Sequence, residues 1–344
     1  MKLYAIYFEP EDWVAFREVR RFGPSDRVES VSLPSPFPFY GAVRTALLKK
    51  WGIKLELGRF PDIDEKKIEI IGGPDNPGKI KMFGPFIFKR TQKGIEHYFP
   101  APRNIYRFDG KYKTMPILME SDGEFKLPWI GEFSGAVKVE AQYIEASEIK
   151  KLKSGQEFQP SDPDCYEVEL RLGIGLSKDS KLAEERMIYT MSVYRFRNGG
   201  FFMLCDEETC GLVSQLDGVF LGAKQRWAKV WIEEFKETDI FQPLNGNVAV
   251  WLLTPAIFDD GMIPKSKQLQ DAKILGIVGA KKTVISGWDV ANNRSKPIHH
   301  AAGVGTVYYL DRPIDSFVLR ESKFNEFGFG TVAFMKWDYF EGEE

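Results

Sequence analysis

The feature that most narrows the possible folds is a repeated order of strand signals. IYFEP, ending at Pro10, and WLLTP, ending at Pro255, are each a strand pattern that runs into proline. FLGAKQRWAKV and FGFGTVAFMKW are each a glycine-bearing turn that enters an alternating run. Proline cannot donate to a ladder, so each first pattern must end its strand there. Two segments that begin and end alike read as two copies of a strand-helix-strand-strand-helix-strand unit. The expected class is therefore α+β, with two ferredoxin-like domains and antiparallel sheets. Such punctuation is common in strand-rich chains, so the repeat alone does not decide the fold.

At 344 residues the chain exceeds the roughly 250–300 at which single cores divide. PLNGN, from Pro243, carries turn residues and no apolar period, which places the expected boundary between domains 1–242 and 243–344. VSLPSPFPF cannot be helix interior. From Pro38 to Trp51, however, Phe39, Ala42, Val43, Ala46, Leu47 and Trp51 share one helical face, closed by Gly52. IKMFGPFIFKR and IEHYFPAPRNIYRF read as strands with proline-bearing ends. GAVKVEAQYI and CYEVELRLGIGL read as arms of a β-hairpin insertion at about 135–175, around the helical patch EASEIKKLKSG. RMIYTMSVYRF and FFMLC are further strands and TCGLVSQL a short helix.

Net charge of −2 argues against indiscriminate coating of nucleic acid, which needs a broad basic face. Any RNA site must be local. One local excess lies between Gly78 and Lys113, where nine cations meet only Glu96 and Asp109; a solvated strand face explains it as well. No apolar run approaches the ~20 residues of a membrane helix, and MKLYAIYFEP is too short and too early charged for a secretory signal, so a cytoplasmic protein without membrane contact is expected. Cys165, Cys205 and Cys210 cannot all pair, and CDEETC is neither a zinc knuckle nor a redox motif. Neither disulfide nor structural zinc is expected.

Acid–base chemistry has few carriers, since His97, His299 and His300 are the only histidines. The pair in HHAAGVG, beside Lys296, would suit a metal-independent ribonuclease, but adjacent residues on a strand face opposite ways. Packing, or stacking on a base, is the expected role for these histidines. The aspartate pairs in FDDG and SDPDC sit in turn contexts, which assigns no metal. GFGTV and LGIGLS lack a complete nucleotide fingerprint, so no cofactor is expected. Binding remains. In the stretch Phe220, Gly222, Lys224, Arg226 and Trp227, a glycine lets a phosphodiester reach the main chain, cations neutralise it and a ring stacks a base. An ordinary exposed hairpin contains the same residues, and spacing does not choose between the two.

Taken in order, FREVRRFGPSDRVESVSLPSPFPFYGAVRTALL, FGPFIFKR with YFPAPRN, FLGAKQRWAKV, LLTPAIFDDGMIP, SGWDVANNRSKPIHHAAGVGTVYYL and FGFGTVAF resemble subunit 3 of the Cmr complex, the type III-B CRISPR effector, within the RAMP superfamily. The resemblance runs from Phe16 to Phe334. It implies two ferredoxin-like, RRM-like domains with β-hairpin insertions, and makes FLGAKQRW and FGFG the glycine-rich loops. It further implies a non-catalytic RNA-binding subunit that caps the 5′ handle of the crRNA and contacts the large palm-domain subunit and a backbone subunit. Carried onto this chain, handle contacts fall at Arg17, Arg20, Arg21 and Arg44, and at Phe220, Gly222, Lys224 and Arg226 in the glycine loop. Second-domain contacts would be Trp288, Asn292, Asn293, Lys296, His299 and His300. On general grounds Arg44 could instead pair with Glu18, Trp288 could be core, and FGPF with PAPRN could fix backbone shape. Recognition of a fixed handle by its path would explain the near-neutral charge. Two competing readings remain: a RAMP endoribonuclease that processes repeat RNA with Tyr or Lys in place of a histidine pair, and a protein–protein scaffold whose aromatic loops are interface anchors.

Overall fold

The computed structural model describes residues 2–16, 27–28, 33–73, 75–119, 123–130, 135–139, 141–176, 183–279 and 282–340. In the first part the main strands are β1 Tyr4–Pro10, β2 Met82–Thr91, β3 Gly94–Pro100, β4 Tyr143–Glu145, β5 Tyr166–Leu176, β6 Ala183–Phe196, β7 Gly199–Cys205, β8 Gly218–Leu221 and β9 Arg226–Glu234. The helices are α1 Phe37–Lys50, α2 Glu65–Ile71, α3 Ala146–Lys153 and α4 Glu207–Val213. Seven strands form one antiparallel sheet in the order β8-β9-β1-β7-β2-β3-β4. Its two edges are short, four and three residues long, which leaves little backbone open to a foreign strand.

Helix α1 forms where the sequence places it. Pro36 and Pro38 preorganise its first turn, Lys49 and Lys50 complement the dipole at its end, and Gly52 stops it at φ +73°. Its face buries Phe39, Val43 and Leu47, with Phe39 edge-on to Phe8 of β1 at 5.1 Å and to Phe201 of β7 at 5.5 Å. Helix α4 begins at Asp206, whose side chain accepts from the Thr209 N–H.

The last part contributes β10 Val248–Leu252, β11 Ala272–Val278, β12 Val307–Leu310 and β13 Val332–Lys336, antiparallel in the order β11-β12-β10-β13, with Gln268–Leu269 on the outer edge of β11. Each set of four, numbered along the chain, has the order 4-1-3-2: β9-β1-β7-β2 in the first sheet and β13-β10-β12-β11 in the second. The repeated strand order is therefore real. The repeated helices are not, since among the described residues beyond 243 only a single 3₁₀ turn, Asn325–Phe327, is helical. The crossover after β10 carries Pro255, Gly261 and Pro264 and no 3.6-residue apolar period, so it runs as irregular chain. Side chains such as Phe258, Ile314 and Leu319 cover the outer face of the second sheet instead.

The expected hairpin at about 135–175 is corrected. CYEVELRLGIGL, in β5, pairs with β6 from Tyr166↔Phe196 to Ile174↔Ile188, so the long hairpin spans 166–196. The stretch GAVKVEAQYI divides between Val137–Lys138, which pairs with Ile105–Phe108, and β4 on the edge of the first sheet. The cause is α3, which starts directly after β4 and buries Ala146, Ile149 and Leu152 in the core, so the chain turns away before a hairpin can close.

The two sheets meet face to face. Tyr7, Phe86, Phe88, Phe202 and Leu204 of the first sheet share one apolar cluster with Ala249, Trp251, Tyr309, Ala333 and Met335 of the second. Two hydrogen bonds cross this seam: Trp251 Nε1 donates to the Pro100 carbonyl at 2.9 Å, and Asn104 Nδ2 donates to the Tyr309 hydroxyl at 3.0 Å. Residues 243–247 lead from the 3₁₀ turn Thr238–Phe241 into β10, along the side of this common core.

Candidate nucleic-acid interface

FLGAKQRW is the turn of a hairpin, with β8 pairing to β9 up to Leu221↔Arg226 and with Gly222, Lys224 and Gln225 at positive φ. Gly222 meets protein, not open surface: a Cβ there would lie 2.6 Å from the Ala15 carbonyl and 2.9 Å from Val14 Cγ2. The segment before Phe16 threads between two hairpins, with Val14 bonded both ways to Tyr194 of β6 at 2.8 Å and Ala15 accepting from Ala223 N at 2.8 Å. Gly222→Ala is therefore expected to cost about 1–2 kcal/mol through left-handed strain and this contact. A urea midpoint equal to that of the native chain would refute the assignment.

Trp13 sits in this crossing with little exposure, packed on Ala15 and Val193. The Arg226 guanidinium lies 4.0 Å from the centre of its ring and that of Arg171, on β5, lies 5.0 Å away. Asp12 faces Arg226 at 3.6 Å and Arg195 at 3.4 Å; Glu169 pairs with Arg171 at 3.2 Å and also with Arg195. Beside them opens a pocket of about 390 Å³ lined by Trp13, Arg171, Lys224 and Arg226, and by Leu172, Gly173 and Met191. Lys224 is exposed and has no ion-pair partner among the described residues. Phe220 stands outside this pocket, exposed, edge-on to Trp227 at 5.3 Å with Lys49 Nζ at 5.4 Å from its ring centre.

The other expected contacts are placed differently. Arg17, Arg20, Arg21 and Glu18 lie outside the described residues. Arg44 is half-buried between Tyr40 and Phe327, and its guanidinium donates to the Asn76 carbonyl at 2.5 Å; burial lowers its pKa to about 10, so it stays charged at neutrality. The Lys296 ammonium is largely buried, 4.8 Å from the centre of the Phe37 ring and 3.5 Å from Asp75. Trp288 is 56% exposed, which corrects its reading as core: the short hairpin Trp288–Asp289 with Arg294–Ser295 has no sheet behind it. Asn292 is spent on its own turn, donating from its backbone and side chain to Asp289, and Asn293 takes the positive φ.

His299 and His300 alternate on a strand paired to Thr283–Ile285, with His300 exposed and His299 edge-on to Phe324 at 5.4 Å. Burial lowers the His299 pKa below its ordinary 6.5, and Lys323 and Lys296 push the same way against Asp75. The imidazole is thus neutral at pH 7. Because the folded state binds this proton less readily than the unfolded chain, the contribution of His299 to stability is complete above pH 6.5 and is lost as pH falls through the lowered folded value. Acidification should accordingly reduce the urea midpoint of the native chain more than that of His299→Gln. Equal losses in both would remove this term. His97 is core: its Nε2 meets the Tyr7 hydroxyl at 2.8 Å, Glu237 lies 3.4 Å from Nδ1, and Phe202 and Phe235 enclose it.

Two further motifs prove structural. FGFG is buried in the cluster that packs α1, where a Cβ on Gly328 would lie 2.4 Å from the Met82 carbonyl and the Gly328 carbonyl accepts from Thr254 Oγ1 at 2.7 Å. PAPRN meets the loop before β12, with Arg103 N donating to the Gly305 carbonyl at 2.9 Å. Within the basic run from Gly78, three of the cations are partnered by acids outside it, Lys79 with Glu69 at 2.9 Å, Lys89 with Asp164 at 2.6 Å and Arg90 with Glu9 at 3.0 Å. Among the described residues no three His, Cys, Asp or Glu side chains gather as metal ligands, and no helix is long and apolar enough to cross a membrane. Sequence reasoning missed Trp13 and Arg171. Arg171 showed only as one polar position in an alternating strand, and Trp13 as an aromatic just past a proline-stopped strand.

Two antiparallel frames of one strand order are joined through a common core and edged by a basic aromatic pocket, the arrangement of an α+β binding subunit. The chain belongs to the family described as CRISPR-associated protein (Cas_Cmr3), whose family model matches residues 6–337. Its fold is similar to that of a chain in the cryo-EM structure of the type III-B Cmr-beta bound to cognate target RNA, with 15% identity, a TM-score of 0.52, and 89% of this chain and 86% of that chain covered. A second Cmr-beta structure, bound to cognate target RNA and AMPPnP, gives 14% identity, a TM-score of 0.50 and the same coverage. Comparison with curated proteins gives no match.

Proposed function

We propose that this chain is a non-catalytic RNA-binding subunit of a cytoplasmic type III-B CRISPR effector, built on two units of ferredoxin-like strand order of which the second lacks the helices, which caps the 5′ handle of the crRNA and joins the large palm-domain subunit to the backbone. The observation that carries the RNA part is the pocket where Arg171, Lys224 and Arg226 surround Trp13. Guanidinium and ammonium groups on an aromatic floor suit a single strand, whose phosphates are exposed and whose bases can be splayed. The placement of the histidines supports a non-catalytic role: His97 is enclosed, His299 packs edge-on to Phe324, and His300 faces the other side of the strand. Family membership supports assembly into the effector.

The test mixes the full chain, in EDTA, with 5′-labelled RNA carrying a CRISPR handle and with a shuffled-handle control, and scores shift and cleavage together. Handle-preferring retention of intact RNA is the expected result. Cleavage abolished by His299 or His300 substitution would replace this reading with that of an endoribonuclease, and absence of binding would remove RNA recognition by the isolated chain.

A further inference from the structure

We propose that the long hairpin β5–β6 and the glycine hairpin β8–β9 form one clamp, with Arg171 as a contact for a phosphodiester of single-stranded RNA. The inference rests on the RNA-binding reading of the Lys224 and Arg226 loop and extends it to a second, sequence-distant element. Trp13 is the common floor, since both guanidiniums sit on its ring and the segment that carries it is bonded to β6 and to the glycine hairpin.

The charges fit one phosphodiester. Arg171, Arg195 and Arg226 face Asp12 and Glu169, and Lys224 lies beside them, so among the described residues the cluster keeps an excess of two positive charges around the pocket. The carboxylates hold the guanidiniums in place without neutralising the site, and Lys224 is left to a ligand. Trp13 lines this pocket with its indole Nε1 buried and without a hydrogen-bond partner among the described residues, a donor that native interiors rarely leave unmet. Met191, paired across the hairpin with Arg171 and packed on the Trp13 cluster, gives the apolar side of the pocket, whereas Leu172 turns to the opposite face of the strand. Among the described residues no Asn, Gln, Asp or Glu side chain lines the pocket, so the contact should hold the strand's path without reading its sequence.

The experiment measures binding of fluorescent single-stranded RNA to the full chain by anisotropy across a salt series, for the native chain, Arg171→Ala, Arg171→Lys, Lys224→Glu and Arg197→Ala. Arg197 lies just past β6, is exposed and pairs with Glu167 outside the pocket, so it controls for loss of a nearby charge. Arg171→Ala should weaken binding about tenfold and reduce the salt slope by about 0.7, the value for one phosphate contact on a single strand. Arg171→Lys should retain most of the affinity, and Arg197→Ala should match the native chain. Thermal melting checks folding; if Arg171→Ala melts early, Arg171→Gln against Arg171→Lys decides the same question. Native affinity in Arg171→Ala with a loss in Lys224→Glu would overturn the clamp and leave the RNA reading standing. Native affinity in both would overturn the RNA reading at this site itself. Displacement of the RNA by AMP would show that the pocket takes a free nucleotide and would overturn the backbone contact.

Discussion

Trp251→Ala should cost about 3–5 kcal/mol and lower the stability of both sheets in one transition. Trp251 is fully buried in the cluster that the two sheets share, and its Nε1 is the donor to the Pro100 carbonyl of β3. Removing the indole leaves a cavity at the seam and an unmet carbonyl on the first sheet, so the damage crosses from one half of the chain to the other. Against the ~5–15 kcal/mol that holds most domains folded, this is a large fraction. Urea unfolding followed by far-UV circular dichroism and by tryptophan fluorescence is the measurement. Two separate transitions, with only the second half weakened, would mean that the sheets do not share a core.

Lys224→Glu should weaken binding of single-stranded RNA roughly 10- to 50-fold near physiological salt while leaving the unfolding midpoint unchanged. The side chain is exposed and unpaired among the described residues, so reversal removes one attraction, adds one repulsion and breaks no internal contact. Arg226→Ala is a less clean test. Its guanidinium stacks on Trp13 and faces Asp12, so its loss removes packing as well as charge. The discriminating comparison is Lys224→Glu against Lys224→Gln: if both bind RNA as the native chain does, the glycine hairpin is only a hairpin.

Much of the frame was legible in the sequence. The α1 face from Phe39 to Leu47, the stop at Gly52, the strand that Pro10 ends and the strands after Gly222 and Gly330 all stand where local pattern puts them. Each depends on period, cap or turn chemistry within a few residues. What failed was pairing across distance. CYEVELRLGIGL alternates equally well whichever strand it joins, so only the docked positions of α3 and β6 decided its partner. The second copy's helices were inferred by symmetry from the first, although its own crossovers carry prolines that forbid them.

The candidate site divides along the same line. Sequence alone determined that Lys224 and Arg226 follow Gly222 through a turn, because turn residues announce themselves locally. Tertiary structure decided that Gly222 is bare to admit the Ala15 carbonyl, that the FGFG loop is core, and that Arg171 and Trp13 belong beside Lys224. A residue's chemistry is written in its side chain, but its neighbours are set by which faces bury each other, and that choice is made over separations of more than a hundred residues.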